Sequence, residues 1–509
     1  MEAENISKGR LIMRNTLMLY LRMFFLLCVG LYTSRVVLDA LGETDYGIYN
    51  VVGGVVAMFT VISGALNSAV ARFITYELGR DGGADLGRVY STAVLVQVLL
   101  SVIIVATAEP VGLWFIRNRM TIDPARIPAA CKVLHFTVFS FVVNLMSVPQ
   151  TATITAHEKM SAYAWIGMLD GVLRLVAALL LARSGFDRLV FYAALSSGTV
   201  LIVRMAYGWY CKAHFPECRE SMSVDGSLLG KMFSFAGWNF IGAASGVLRD
   251  HGGNILVNLF SGPAVNAARG VAVQLNGAVQ GFVTNFMTAV NPQITKSYAS
   301  GDIGYMTSLV MKSSRMSYYL LLVLALPVIV NADFLLGLWL KAVPEHSTLF
   351  VRLFLIFTLS ESLSYPLVTS MLATGRIRNY QIVVGGLQLM NLPVSYVFLR
   401  YGAMPEVTVM VAIAISQICL AARLLMLRDM TGLPAGKYVR RVWLNVIVVT
   451  AVALPLPLAC ALLMPAGVAA SCLNIAVSVI CAALSVLFAG CTSDERREVL
   501  SMTVKFFRK

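Results

Sequence analysis

The 509 residues are 58% hydrophobic and only 13% charged, with a mean hydropathy of +0.76. A soluble chain carries about 25% charged residues, so these values exclude a soluble globular protein and leave an all-α polytopic membrane protein. The net charge of +14 then reflects first the sorting of Lys and Arg to the inner side of a membrane and second an anionic cargo, with no nucleic acid implied.

In chain order, apolar windows predict about fourteen spans, near 13–37, 47–74, 89–112, 130–154, 163–182, 189–210, 231–260, 264–291, 316–337, 348–373, 380–399, 406–427, 443–463 and 467–490. An even number puts both termini on one side of the membrane. With that side cytoplasmic, about twice as many Lys and Arg fall inside as outside. One loop runs against this bias, because Arg117, Arg119, Arg126 and Lys132 are placed outside. No loop is long enough to fold as a separate domain. The nine cysteines are scattered through apolar runs with no metal-ligand spacing, and they read as reduced small hydrophobes. Neither a metal nor another cofactor is expected.

The chain repeats itself weakly at an offset near 220. Pro149, Ala156, Lys159 and Tyr163 recur as Pro366, Ala373, Arg376 and Tyr380; Gly42, Ala69, Val70 and Thr75 recur as Gly262, Ala289, Val290 and Thr295. Six spans separate the copies, so they run parallel. The expected organisation is an N-terminal six-helix bundle over 1–215 and a C-terminal six-helix bundle over 216–435, pseudo-symmetric around a central cavity. Two additional transmembrane helices and a cytoplasmic tail over 436–509 complete it.

Two runs carry a family resemblance. The stretch Leu31-Tyr32-Thr33-Ser34-Arg35-Val36-Val37-Leu38, with Asp45-Tyr46-Gly47-Ile48-Tyr49-Asn50 after it, resembles the start of the Wzx-type oligosaccharide flippases. So does Asn266-Ala267-Ala268-Arg269-Gly270, followed by Ala289-Val290-Asn291-Pro292-Gln293. These flippases form the polysaccharide branch of the multidrug/oligosaccharidyl-lipid/polysaccharide (MOP) exporter superfamily. The resemblance implies a fourteen-helix, two-lobed transporter of the bacterial inner membrane. It implies a cargo of undecaprenyl-diphosphate-linked oligosaccharide, moved from the cytoplasmic to the periplasmic leaflet in contact with membrane lipids. Polymerase and glycan-assembly proteins are the candidate partners. The individual glycan and the coupling ion, H+ or Na+, vary within such a family and are not implied by the resemblance.

Such a headgroup carries about two negative charges and needs a hydrated, cationic path; Arg suits it because its fork binds phosphate oxygens bidentately. In the seventh span, Arg249, Asp250 and His251 interrupt some thirty mostly apolar residues, with Gly252 and Gly253 as a candidate helix break. Successive helical positions differ by about 100°, so Asp250 is expected to reach Asn254 while Arg249 points elsewhere, toward the cavity if the triplet is central. The competing reading starts the helix in the cytoplasmic headgroups and puts the triplet at the outer interface. His251 is weighed as a titratable group against an ordinary hydrogen-bonded one. Arg249 is the leading headgroup contact, followed by Arg22 in the first span and Arg269 at the start of the eighth. Arg22 competes with a reading in which it reaches back to the membrane surface, as Arg204 and Arg423 are expected to do. Asn239 and Asn254 belong to the same expected polar cavity. Asp170 and Arg174, four apart, read as a structural ion pair. Glu361 stands near the middle of the tenth span with no basic residue within four positions, which suits reversible protonation and makes it the ion-coupling candidate. Its counterpart in the other half is Asn144.

The runs Gly226 to Lys231 and Gly432 to Lys437 fall one residue short of a phosphate-binding loop, so direct nucleotide drive is not expected. The function read from the sequence is flipping of a lipid-linked oligosaccharide by alternating access, ion-coupled, with no catalytic residues. The rivals are a cation-coupled drug or small-molecule antiporter of the same superfamily and a membrane-embedded polysaccharide polymerase or transferase. An enzyme of that kind should show a large outer loop or clustered acid and base residues, and neither is present.

Overall fold

The computed structural model describes residues 2–57, 59–80, 85–118, 120, 122–182, 185–219, 223, 225–340, 343–464, 467–493 and 495–497. Every regular element among them is helical. The first seven helices are α1 (Glu2–Ala57), α2 (Thr60–Gly79), α3 (Leu86–Asn118), α4 (Ile127–Met146), α5 (Val148–Ala156), α6 (Met160–Ala182) and α7 (Arg188–His214). After them come α8 (Gly226–Ala299), α9 (Ile303–Val330), α10 (Ala332–Trp339), α11 (Ser347–Ser362) and α12 (Tyr365–Thr374). Then follow α13 (Arg378–Tyr380), α14 (Gly386–Leu389), α15 (Asn391–Arg400) and α16 (Val407–Thr431). The last four are α17 (Ala435–Tyr438), α18 (Leu444–Ala453), α19 (Pro455–Leu463) and α20 (Val468–Ser485).

Ten of these segments are long and apolar enough to cross a membrane, and eleven if the bent pair α11–α12 is one span. Their most apolar windows keep only 22–50% of residues buried, so apolar side chains face outward, as lipid requires and water forbids. Of the three other spans expected from the sequence, 47–74 is divided between α1 and α2, and 231–260 and 264–291 run through α8; none of the three passes the same test. The count of fourteen therefore rests on the sequence pattern and not on helix composition.

The chain divides into two compact units, Met1–Ala243 and Ala244–Lys509, with the division inside α8. In unit 1, α1 packs on α6, α4 on α3 and α7, and α2 on α5. In unit 2, α9 packs on α11 and α20, and α16 on α11 and α15.

The weak sequence repeat is written into the backbone. Two long helices are each interrupted at one residue: α1 at Gly42 (φ 74°, ψ 170°) and α8 at Gly262 (φ 80°, ψ 177°). That region of conformational space is open essentially to glycine alone, so both copies place glycine at the same break. The break expected at Gly252 and Gly253 does not occur, and α8 continues through them. Those glycines serve close packing instead. A Cβ on Gly252 would collide with the Leu392 side chain, and one on Gly253 with the Arg269 guanidinium.

The spans expected at 130–154 and 348–373 are broken as well. Ser147 separates α4 from α5, and Leu363 with Ser364 separates α11 from α12, which bend by 40°. In each copy a proline, Pro149 or Pro366, opens the second segment, where its missing N–H costs nothing. Each also ends in a left-handed residue, Glu158 (φ 59°) or Gly375 (φ 74°).

Candidate functional site

Unit 2 holds a polar cluster built by α8, α11, α12 and α16. Helix α11 presents Phe354, Phe357 and Glu361 at intervals of three and four, the spacing of one helical face. Arg249 lies over the Phe357 ring at 4.9 Å and Arg269 over the Phe354 ring at 5.2 Å. Arg269 is 5% exposed; its Nη1 donates to Asn254 Oδ1 at 2.5 Å and its Nη2 to the Asp250 carbonyl at 3.5 Å. Below them, Gln280 Nε2 donates to the Tyr365 hydroxyl at 2.8 Å, and Thr358 Oγ1 donates to Asn276 Oδ1 at 2.6 Å. Arg423 is buried, donates to Ser364 Oγ at 2.8 Å and also reaches Tyr380.

Three sequence-based expectations fail here. Arg249 does not point away from Asp250: its Nε and Nη2 reach Asp250 Oδ1 at 2.9 Å and Oδ2 at 3.3 Å. The angular offset between neighbours is spanned because a long, flexible Arg side chain can fold back along the helix surface. Asn254, which Asp250 was expected to reach, is taken by Arg269 instead. Arg423 does not extend to a membrane surface either; a hydroxyl and a phenol inside unit 2 hold it.

Glu361 is half-buried, and among the described residues its carboxylate has no ion pair or hydrogen bond. It is not isolated, however, since Arg249, Arg423 and Tyr365 all lie within its electrostatic reach. These cations come from other helices, α8 and α16, and are not visible along the tenth span alone. Among the described residues this cluster holds three guanidinium groups and two carboxylates, a formal excess of one positive charge. Asp250 and His251 are exposed.

Asn239 is not part of this cluster. It belongs to unit 1, where its Nδ2 donates to the Ala65 carbonyl of α2 at 3.1 Å. Arg22, also in unit 1, stacks over the Tyr163 ring at 4.4 Å. Its stem passes across Gly167 of α6, where any Cβ would strike it. Arg174 donates its Nε to both oxygens of Asp170, each at 3.0 Å. Arg72 sits among the rings of Tyr76 (4.5 Å), Phe73 (4.8 Å) and Phe235 (5.8 Å). Arg126, one of the basic residues that ran against the charge bias, bridges Asp45 and Asp187, the latter at 3.0 Å, and is thereby neutralised. Arg119 and the tail from 498 lie outside the described residues.

Unit 1 also contains a cavity of about 170 Å³ between α1, α4, α6 and α7. Thr137, Ser140 and Asn144 line it from α4, Ser196 and Thr199 from α7, and Arg174 from α6. The sequence reading missed it. The available signal was small polar residues at helical spacing on α4, three and four apart, a pattern easily passed over in an apolar span.

The helix order, the paired glycine breaks and the paired proline-broken spans define a polytopic membrane protein of the MATE-type fold found in MOP-superfamily transporters. A multidrug-resistance MATE family transporter of that superfamily, solved in an outward-facing conformation, superposes with a TM-score of 0.74 at 12% identity, over 84% of this chain and 96% of that one. A MOP superfamily transporter from Pyrococcus furiosus, described as having a binding pocket of reverse polarity that suggests a different function, superposes with a TM-score of 0.71 at 11% identity, over 85% and 96%. A MATE protein in its bent conformation gives 0.72 at 12% identity, over 84% and 96%. At these identities the likeness is one of fold. Among curated proteins none matches. The family described as polysaccharide biosynthesis protein matches residues 12–298, more than half of the sequence, and the chain belongs to that family.

Proposed function

We propose that this protein flips an undecaprenyl-diphosphate-linked oligosaccharide from the cytoplasmic to the periplasmic leaflet of the bacterial inner membrane by alternating access. Membership of the polysaccharide biosynthesis family supplies the cargo class, and the transporter fold supplies the means. The observation that carries the reading is the excess of positive charge in the unit 2 cluster. A cation left uncompensated in a membrane-spanning unit is costly, and a phosphate-bearing cargo would compensate it.

Arg249 is the proposed headgroup contact. Its guanidinium is held against Phe357 and Asp250, ready to exchange part of its carboxylate pairing for phosphate oxygens of similar geometry. Arg269 is the supporting cation: fixed by Asn254, it raises the local potential without having to move. Glu361, within reach of Arg249 and Arg423, is the proposed coupling site for H+ or Na+, because a cation on the carboxylate changes the charge that both guanidinium groups experience. The 1–215 and 216–435 bundles with two further helices remain the proposed functional organisation, with both termini cytoplasmic.

The test is deletion of the gene in its own host, with the lipid-linked oligosaccharide traced by leaflet. Accumulation on the cytoplasmic side, relieved by the wild-type gene and not by Arg249→Ala, is the expected result. An unchanged leaflet distribution with intact surface glycan would overturn the function.

A further inference from the structure

We infer that the cavity of unit 1 is a saccharide-binding subsite, which holds a sugar ring of the cargo away from its diphosphate. This inference rests on the flippase reading above. The lining contains no carboxylate, and its one charged side chain is Arg174, so the site does not have the chemistry of a cation site. It offers hydroxyl oxygens and an amide on two facing helices, Ser140 and Asn144 on α4 and Ser197 and Thr199 on α7; the three hydroxyls donate to backbone carbonyls, so toward a ligand they act as acceptors. Ser140 Oγ and Ser197 Oγ are 2.8 Å apart and bridge the two helices. Arg174 uses its Nε on Asp170, and among the described residues its Nη groups have no hydrogen-bond partner. The rings of Tyr49 and Tyr192, with centroids 4.9 Å apart, form an aromatic wall. Hydroxyl partners, a free guanidinium edge and aromatic faces together suit a pyranose, which presents hydroxyls at its rim and C–H groups on its faces. At about 170 Å³ the cavity exceeds roughly tenfold the ~10–15 Å³ that one water requires. A single sugar ring, with about a dozen heavy atoms, is a ligand of that scale.

The internal repeat supplies an independent argument. In unit 2 the same pair of hydroxyls exists, Ser360 with Ser416, at the repeat offset. There the pair is covered, because Gln417 Nε2 donates to Ser360 Oγ at 2.5 Å. The residue matching Gln417 in unit 1 is Gly198, and a Cβ placed on it meets nothing within 4 Å. One copy thus carries its own amide over the serine pair, whereas the other leaves the pair facing a cavity.

The experiment uses the full chain in detergent and two soluble probes, N-acetylglucosamine and glucuronate, observed by saturation-transfer-difference NMR. Transfer to the ring protons of at least one probe is expected. Gly198→Gln, which supplies the missing amide, and Ser197→Val should each weaken it by about fivefold or more, whereas Ser416→Val in unit 2 leaves it unchanged. Unaltered melting temperature and elution volume confirm that the variants are folded. Transfer that is absent from the wild type, or equal in all variants, overturns the subsite; so does a 23Na line-broadening response lost in Gly198→Gln without any saccharide response. If leaflet transport fails but saccharide transfer shows this variant pattern, the flippase reading falls and the subsite stands. If transport is intact and saccharide transfer ignores Gly198→Gln, the subsite alone falls.

Discussion

Replacing Asn254 with Leu tests how the unit 2 cluster tolerates a buried cation. Arg269 is 5% exposed, its strongest hydrogen bond goes to Asn254 Oδ1 at 2.5 Å, and its second, to the Asp250 carbonyl, is long at 3.5 Å. Its Nε has no partner among the described residues. The substitution therefore strips a buried guanidinium of its principal acceptor and leaves the long bond to the Asp250 carbonyl and the Phe354 face. Loss of a charge-assisted hydrogen bond with one partner left buried costs about 2–3 kcal/mol. Arg269→Met alone leaves a neutral amide with an unfilled hydrogen bond, a cost of about 1–2 kcal/mol. The double variant removes both ends at once and should lie within about 1 kcal/mol of the wild type, since replacing both partners of a buried polar pair by apolar groups is often nearly neutral. Thermal unfolding in one detergent across the four proteins gives the coupling. Melting temperatures in which Asn254→Leu is the lowest and the double variant recovers towards wild type support the reasoning. Strictly additive losses would show that Arg269 does not depend on Asn254.

Three further outcomes follow from other parts of the chain. Gly42→Ala and Gly262→Ala each force a Cβ into a backbone region reserved for glycine and should each destabilise the protein by about 1–3 kcal/mol; a melting temperature unchanged in either variant would contradict the assigned φ values. Gly167→Leu drives a side chain into Arg22 and should lower the melting temperature, with partial recovery in the Gly167→Leu, Arg22→Ala double variant. The last concerns Glu217, in the turn after α7. Burial raises its titration, but hydrogen bonding with His157 (2.7 Å) and with its own backbone amide outweighs this and holds the carboxyl below the usual range. Its stabilising contribution is therefore present above the unfolded carboxylate value near ~4.3 and fades as the pH falls through the lower folded value. Glu217→Gln should cost about 1–2 kcal/mol at neutral pH, and melting curves from pH 7 downward should show the gap to wild type closing below about pH 4.

Much of the fold was legible because its determinants are local. A run of apolar residues marks a helix in lipid, and a proline or a glycine marks where that helix breaks. The match of Gly42 with Gly262 was visible as letters and reappears as matching backbone angles. The site was less legible because its partners lie on different helices. Glu361 looks alone along its own span, whereas Arg249 and Arg423 bring positive charge near it from α8 and α16 without pairing with it. The pairing of Arg249 with Asp250 was misjudged because helical geometry fixes where side chains start, not where a flexible one ends. Gly252 and Gly253 read as a helix break in the sequence, since glycine's two uses, freedom of φ and absence of a Cβ, are identical there. Only the packing of Leu392 and Arg269 separates them.

The central claim is that guanidinium groups in unit 2 admit a diphosphate-linked glycan to a transport path. The purified protein, reconstituted in liposomes with a fluorescent undecaprenyl-diphosphate oligosaccharide, tests it through quenching by a membrane-impermeant reductant. Wild-type protein should expose the inner-leaflet label at a rate well above that of protein-free vesicles, and Arg249→Ala should return most of that rate to background while remaining folded. A wild-type rate equal to that of empty vesicles, or an Arg249→Ala rate equal to wild type, would contradict the account.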